Sequence, residues 1–299
     1  MKRVAVYGRN VDDVFFPYLR KLLEGLKEKN VMLVVEERFA ELLDNVYGCG
    51  HFLDDRFSEE ALKEKEVDLL LSIGGDGTFL DTVLYVKDSG IPVLGINCGR
   101  LGFLANVSVA EIETAIDYIS AGKYETEQRS LVGLQVEGDD FPGFHFGLNE
   151  VSVQKTERSS LLRIHAYVDD VYLTTYWADG LIVATPTGST AYSLSGGGPI
   201  VSPECRVITL TPVCPHNLSM RALVIPDQSV IRLVVEERSR EFILSLDSRA
   251  ERMRDCCNIR ITAGGFKINV VKFPGHNYYE TLRNKLGWGE DKRNEICLS

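Results

Sequence analysis

Four short apolar runs in the first third of the chain constrain its fold most strongly. They are rich in Val, Ile and Leu, and they span residues 4–7, 31–35, 67–73 and 91–96. Apolar residues at helical spacing lie between them, at 15–29 and 78–87. Continuous apolar runs are typical of parallel strands that are covered on both faces. We therefore predict an α/β N-terminal domain with a mostly parallel sheet.

The pattern changes in the rest of the chain. Ser108 and Glu111 form a capping-box signature for a helix through Ile119, which Gly122 can end. Short strand-like segments then follow at 132–136, 162–168, 181–184, 207–210, 230–235, 242–246 and 266–271. We predict an α/β domain over 1–105, a β-rich, β-sandwich-like domain over 106–273, and a C-terminal tail over 274–299 with a helix at 277–288.

Composition excludes several classes of partner. The formal charge is −10, from 33 basic and 43 acidic residues, which argues against a nucleic-acid partner. No stretch approaches the roughly 20 apolar residues of a membrane span, so we expect no membrane partner. Seven scattered cysteines without a C-x-x-C pair argue against a disulfide framework or a structural zinc site. We expect a cytoplasmic protein.

A glycine-rich loop, GGDGT at residues 74–78, follows the third apolar run and precedes a helix. The glycines of the loop, Gly74, Gly75 and Gly77, let a ligand approach the backbone closely. Free N–H groups at the start of a helix bind phosphate. We therefore predict a phosphate site formed by these glycines and Thr78. A carboxylate repels a bare phosphate, so Asp76 is better placed to accept a proton from a hydroxyl or to engage magnesium. This combination favours phosphoryl transfer.

An alternative for the loop is a tight strand-to-helix turn in which Asp76 only caps the helix. The Walker A pattern and the G-x-G-x-x-G fingerprint are both absent, which removes the usual P-loop and dinucleotide-dehydrogenase interpretations. Among the five histidines there is no metal-ligand spacing.

A second set of motifs lies in the β-rich part. The segment 186–198 carries a row of hydroxyls, the Tyr192 ring and four glycines after an apolar strand, a surface that suits a sugar-and-base ligand. Asn149 can pair with the edge of adenine, and Glu150 can accept hydrogen bonds from ribose hydroxyls. A Ser/Thr/Gly-rich turn and a strand-end Asn-Glu without a ligand are the alternatives.

GGDGT resembles a signature that NAD kinases share with diacylglycerol and sphingosine kinases and, with small changes, with phosphofructokinases. The other motifs distinguish among these families. Asn149-Glu150, the stretches at 178–203 and 211–224, INCGRLGFLA at 96–105 and KLGWG at 285–289 are together similar to the NAD kinase pattern over most of the chain.

The resemblance implies transfer of the γ-phosphoryl group of ATP to the 2′-hydroxyl of the adenosine ribose of NAD, giving NADP. Our hypothesis for the mechanism is that Asp76 is the general base. In this hypothesis the donor phosphates, with magnesium and without a dedicated protein metal site, bind to Gly74, Gly75, Gly77 and Thr78. The resemblance also implies that the C-terminal tail returns to the first domain, and that the enzyme is a homodimer or homotetramer with sites near the subunit interface.

The NAD-binding residues that the resemblance implies lie in both predicted domains. They are Asp76, Gly77, Asn149, Glu150, Trp177, Asp179, Thr190, Ala191, Tyr192, Ser193, Leu194, Ser195 and Arg249. Two positions depart from the family pattern: Trp177 stands where a basic residue is frequent, and Ser160 where larger polar residues are frequent. An indole at 177 can stack on a base instead. For Arg249 a solvated surface arginine is the alternative.

Overall fold

The computed structural model describes residues 2–99, 102–137, 141–156, 160–236, 241–254 and 258–289. Arg100 and Leu101 of the INCGRLGFLA segment lie outside the described residues, as do Cys256, Cys257 and Cys297. The four described cysteines, Cys49, Cys98, Cys205 and Cys214, are free thiols.

The helices bury apolar stripes at the spacing that the sequence predicts. In α1, for example, Leu19, Leu22, Leu23 and Leu26 are all fully buried. In chain order the described helices are α1 (Phe16–Glu28), α2 (Glu37–Asn45), α3 (Asp76–Val86), α4 (Ile112–Ala121), α5 (Tyr192–Ser195) and α6 (Tyr278–Leu286). Short 3₁₀ turns cover Gly50–Phe52, Leu62–Lys65, Val109–Glu111 and Thr187–Thr190.

The strands of the described ranges form three sheets. In chain order they are β1 (Arg3–Gly8), β2 (Met32–Glu36), β3 (Asp55–Phe57), β4 (Leu69–Ile73), β5 (Val93–Ile96), β6 (Glu125–Arg129), β7 (Val132–Val136), β8 (Phe146–Gly147), β9 (Glu150–Lys155), β10 (Leu162–Val168), β11 (Val171–Ala178), β12 (Gly180–Ala184), β13 (Val207–Val213), β14 (Leu223–Pro226), β15 (Ile231–Val235), β16 (Glu241–Leu246), β17 (Arg249–Arg254), β18 (Asn258–Ala263) and β19 (Ile268–Lys272).

Contacts divide the chain into two compact units. Unit 1 contains the chain up to Glu127 and again from Asn269, and unit 2 is Gln128–Ile268. The first sheet has the order β3-β2-β1-β4-β5-β19-β6, and the pairs from β3 through β19 are parallel. Strands β1 and β4 are almost fully buried, as expected for parallel strands that are covered on both faces. The predicted α/β fold is confirmed.

Unit 2 consists of two six-stranded antiparallel sheets, with the orders β11-β10-β15-β18-β7-β8 and β14-β13-β12-β9-β16-β17. Strands β10, β15 and β16 alternate buried and half-buried residues, so each presents one apolar face. Apolar residues of both sheets belong to one buried cluster, which is the packing of a β-sandwich. The prediction of a β-rich, sandwich-like fold is confirmed.

Some elements between the predicted bounds at 105 and 273 belong with unit 1 or with the first sheet, among them α4, β6 and β19. Helix α4 lies in unit 1, and β19 joins the first sheet, where Val270 pairs with Val93 of β5. Val270 and Val271 are both buried, as suits a parallel strand rather than a half-exposed antiparallel one. The domain bounds themselves stay a prediction.

The C-terminal segment returns to unit 1, as predicted. Asn277 caps the N-terminus of helix α6, where its side chain accepts a hydrogen bond from the N–H of Glu280. The His276 ring lies 2.6 Å from a carboxylate oxygen of Glu111. Leu282 is buried, but Tyr279 and Trp288 are more than half exposed, so the apolar residues of the tail are only partly covered. None of the described helices is long and apolar enough to cross a membrane.

Candidate active site

The GGDGT loop joins β4 to α3 in unit 1. Gly74 has a φ of 154°, and a side chain there would collide with the hydroxyl of Thr78, so this position requires glycine. Gly75 precedes the first residue of α3. A Cβ added at Gly75 or Gly77 would meet nothing within 4 Å. The loop therefore leaves open space beside the N–H groups that begin α3, which is the arrangement of a phosphate site.

The Asp76 side chain points to another segment of unit 1. Its Oδ1 accepts hydrogen bonds from the N–H groups of Leu104 and Ala105, both at 3.0 Å, and its Oδ2 accepts one from Phe103 at 2.9 Å. The Lys285 ammonium on α6 lies 3.2 Å from Oδ2. Burial acts to raise the pKa of Asp76, but these N–H groups and the ammonium outweigh it and hold the pKa below its ordinary value. Asp76 is thus an ionised carboxylate at neutral pH.

The turn that binds Asp76 is itself constrained. The N–H of Gly102 donates to the carbonyl of Ala105 at 3.0 Å, and a Cβ at Gly102 would overlap Oδ1 of Asp76. Asn97 donates from Nδ2 to the same carbonyl of Ala105 and accepts the N–H of Gly99 at 2.7 Å. The segment that the sequence singles out as INCGRLGFLA therefore holds the Asp76 carboxylate in position.

In unit 2, Asn149 and Glu150 are held by Asp247, which the sequence analysis missed. The Asp247 carboxylate accepts the N–H groups of Leu148, Asn149 and Glu150 at 2.7, 2.8 and 3.1 Å. Asp247 comes directly after the buried strand β16, and a carboxylate in that position is the one local signal that could have identified it.

Glu150 lies in an unusual environment for a carboxyl group. It is 8% exposed, and among the described residues its Oε2 has no hydrogen-bond partner. Burial and, second, the charge of Asp247 raise the pKa of Glu150 to about 8. Burial raises the pKa of Asp247 as well. At neutral pH Glu150 is therefore mostly protonated, and it can both donate and accept a hydrogen bond.

The hydroxyl-rich segment packs directly on Asn149. Thr185 donates its hydroxyl to the carbonyl of Leu148 at 2.6 Å and accepts the N–H of Gly188 at 3.1 Å. A side chain at Gly188 would collide with the backbone of Asn149. The structure thus places the hydroxyl-rich segment beside Asn149-Glu150, two motifs that the sequence could identify only separately.

Several hydroxyls of this segment bind to the protein itself. Ser189 donates to the carbonyl of Pro186 at 2.6 Å and accepts the N–H of Val201. Ser193 is fully buried, and its hydroxyl lies 2.8 Å from that of Thr211. Thr190 donates to the carbonyl of Thr187 at 3.2 Å. Thr190, Ala191, Tyr192 and Leu194 are half-buried and Ser195 is exposed, so these five predicted ligand residues are accessible.

The other predicted NAD-binding residues of unit 2 contact protein groups. The Arg163 guanidinium lies 3.9 Å from the centroid of the Trp177 ring, and Trp177 is 44% exposed. Asp179 pairs with the ammonium of Lys155 at 2.7 Å. Arg249 donates to the carbonyls of Phe144 and, at 2.6 Å, Phe146, so it is not a freely solvated arginine. Ser160 is exposed.

Comparison with protein families matches both parts of the chain. Residues 9–124 match the family of the ATP-NAD kinase N-terminal domain, and residues 148–273 match that of the ATP-NAD kinase C-terminal domain. The NAD kinase of Flavobacterium psychrophilum is 41% identical, over 98% of this chain and 100% of that protein. That of Porphyromonas gingivalis W83 is 40% identical, over 97% and 99%.

Two solved structures have the same fold. Yeast NADH kinase complexed with NADH superposes with a TM-score of 0.84 at 25% identity, covering 97% of this chain and 89% of that one. An NAD kinase from Archaeoglobus fulgidus in complex with ATP gives 0.70 at 23% identity, covering 94% and 99%. Since both domain families match in order and relatives are about 40% identical along nearly the whole length, the chain belongs to the NAD kinase family.

Proposed function

We propose that the protein transfers the γ-phosphoryl group of ATP to the 2′-hydroxyl of the adenosine ribose of NAD, giving NADP. The observation that carries this proposal is the ionised, hydrogen-bonded carboxylate of Asp76 in a glycine loop at the N-terminus of α3. The relatives that bear the name NAD kinase support the choice of substrates. So do the structural neighbours, one in complex with NADH and the other with ATP.

The donor phosphates bind to Gly74, Gly75, Gly77 and Thr78. The open space at Gly75 and Gly77 admits a phosphate close to the backbone, and the N-terminus of α3 favours its negative charge. Magnesium fits this site as an ion on the donor phosphates, because the oxygens of Asp76 are occupied by hydrogen bonds. When bound it neutralises charge on the transferred group.

Asp76 orients the acceptor hydroxyl and accepts its proton as the bond to phosphorus forms. Phosphoryl transfer proceeds through a loose transition state, so orientation and charge neutralisation matter more than the strength of the base. A carboxylate with a lowered pKa is a weak base but is ionised throughout the neutral range, and that suits this role.

NAD binds to unit 2 residues through its adenosine part. The Asn149 carboxamide pairs with adenine. Glu150, whose Oε2 has no hydrogen-bond partner within the described part of the chain, binds ribose hydroxyls. The other proposed contacts are Gly77 of unit 1 and, in unit 2, Trp177, Asp179, Thr190, Ala191, Tyr192, Leu194, Ser195 and Arg249. Because the hydroxyl of Ser193 is buried against Thr211, we assign Ser193 a role in shaping the segment and leave the ligand contacts to its accessible neighbours.

We further propose a cytoplasmic homodimer or homotetramer with its sites near the subunit interface and no nucleic-acid or membrane partner. The free thiols of the described cysteines suit a reducing compartment. Size-exclusion chromatography with light scattering gives the assembly, and a monomer at micromolar concentration contradicts it.

The reaction is tested by incubating the protein with NAD, ATP and magnesium and measuring NADP with an NADP-specific dehydrogenase. NADP that accumulates in proportion to the enzyme supports the proposal. ADP release with a lipid or sugar acceptor, but not with NAD, would assign the protein to a related GGDGT kinase class. NAD binding without ADP release would make it a dinucleotide-binding module.

A further inference from the structure

The Lys285 ammonium fills the last acceptor position of the Asp76 carboxylate. An ionised carboxylate offers about four lone-pair positions. Three of them accept backbone N–H groups, from Phe103, Leu104 and Ala105, and the fourth, on Oδ2, faces Nζ of Lys285 at 3.2 Å. An acceptor hydroxyl that donates its proton to Asp76 must therefore displace one of these four partners.

The Lys285 ammonium is the partner that can leave at least cost. The three N–H groups belong to one turn, which is closed by the bond from Gly102 to the carbonyl of Ala105 and supported by Asn97. Releasing any of them leaves a part-buried backbone donor without a partner. The Lys285 side chain is 32% exposed and flexible, so its ammonium exchanges Asp76 for another anion with little rearrangement.

A displaced ammonium would stay close to the site. Nζ of Lys285 lies 4.9 Å from the centroid of the Phe103 ring, a cation–π contact that does not depend on Asp76. Asp76 itself belongs to the loop where the donor phosphates bind in the proposed function. In the proposed function the transferred phosphoryl group binds at this loop, so it offers the displaced ammonium another anion.

We propose that Lys285 is a further catalytic residue, whose ammonium holds Oδ2 of Asp76 in the free enzyme, is displaced by the acceptor hydroxyl, and then pairs with the transferred phosphoryl group. The inference rests on the proposed function. In the step, the 2′-oxygen forms a bond to Pγ and its proton passes to Asp76. The bond from Pγ to the bridging oxygen breaks, and its electrons remain on ADP. Lys285 stays protonated and neutralises charge on the equatorial oxygens.

The test compares steady-state kinetics of the wild type with Lys285→Met, Lys285→Arg and Arg283→Met. Lys285→Met is expected to lower kcat by roughly 10²-fold, the scale of one lost charge-stabilising donor. The KM for NAD should stay the same or fall, because the hydroxyl no longer competes for Oδ2. Lys285→Arg keeps the charge and should retain most of the rate. Arg283 lies two residues earlier on α6 and is exposed, so Arg283→Met is the matched loss of a positive charge.

A second measurement separates catalysis from folding. In Lys285→Ala, added ethylammonium ions should restore kcat several-fold, whereas the wild type should not respond. A kcat of Lys285→Met within twofold of the wild type overturns the inference, as does an equal loss in Arg283→Met. If Lys285→Met is unfolded, the response of Lys285→Ala to ethylammonium decides the question in either direction. A wild type that makes no NADP contradicts the proposed function instead.

Discussion

Asp76 and Gly102 lie so close together that the carboxylate of the first occupies the space where a side chain of the second would be. The absence of a Cβ at Gly102 lets the following turn present the N–H groups of Phe103, Leu104 and Ala105 to one carboxylate. Gly102 therefore supports the position of Asp76, although the sequence analysis assigned it no role.

Gly102→Ala should displace the Asp76 carboxylate. A misplacement of about 1 Å can lower a rate by roughly 10²-fold, so we expect NADP formation to fall on that scale while the protein stays folded. Gly99→Ala is the control variant in thermal unfolding, because its added methyl group would meet nothing within 4 Å. A folded Gly102→Ala enzyme with the wild-type rate would show that the placement of Asp76 tolerates this change.

Asn149→Ala should weaken NAD binding, because it removes the carboxamide that we assign to adenine. One or two lost hydrogen bonds correspond to an increase in Kd of roughly 10-fold. Asn258→Ala, which removes a carboxamide that binds Glu137, should leave the Kd unchanged. Isothermal titration with NAD measures both variants, and an unaltered Kd in Asn149→Ala rejects the assignment.

Glu150→Gln should change how stability depends on pH. The pKa of Glu150 is raised from 4.5 to about 8 on folding, so between these values the folded state holds a proton that the unfolded state releases. The ionisation of Glu150 therefore lowers the free energy of unfolding of the wild type as the pH rises from about 4.5 to 8. Glutamine does not titrate, so the free energy of unfolding of the variant should lack this decrease, which is of the order of a few kcal/mol.

Urea unfolding at pH 5 and at pH 8.5 measures this difference. The stability of Glu150→Gln relative to the wild type should increase with pH. Glu251→Gln changes an exposed glutamate of β17, a strand of the same sheet, and serves as the control. If Glu150→Gln and the wild type differ by the same amount at both pH values, Glu150 is not a buried, protonated carboxyl group.

Local pattern was sufficient to predict much of the fold. The predicted segments 132–136 and 162–168 coincide with β7 and β10, and the glycine loop follows β4 and continues into the first turn of α3. These features depend on residue spacing along the chain, which a sequence displays directly. Strand β19 was predicted, but its sheet was not, because pairing with β5 depends on tertiary contacts.

The groups that hold the site could not be predicted in the same way. Asp247 binds residues that precede it by 97 to 99 positions, and Lys285 lies 209 positions after Asp76. Such contacts follow from how sheets and helices pack, not from the periodicity of any one segment. The motifs KLGWG and INCGRLGFLA identified the family, but their contacts with Asp76 became visible only in three dimensions.

The most direct test of the account is the rate of NADP formation by Asp76→Asn beside the wild type, at saturating NAD, ATP and magnesium. Asparagine keeps the size of the side chain but loses the charge that accepts the proton. We expect a folded variant, checked by thermal unfolding, that forms NADP at least roughly 10²-fold more slowly. A folded Asp76→Asn protein that turns over like the wild type would contradict the assignment of the reaction to this carboxylate.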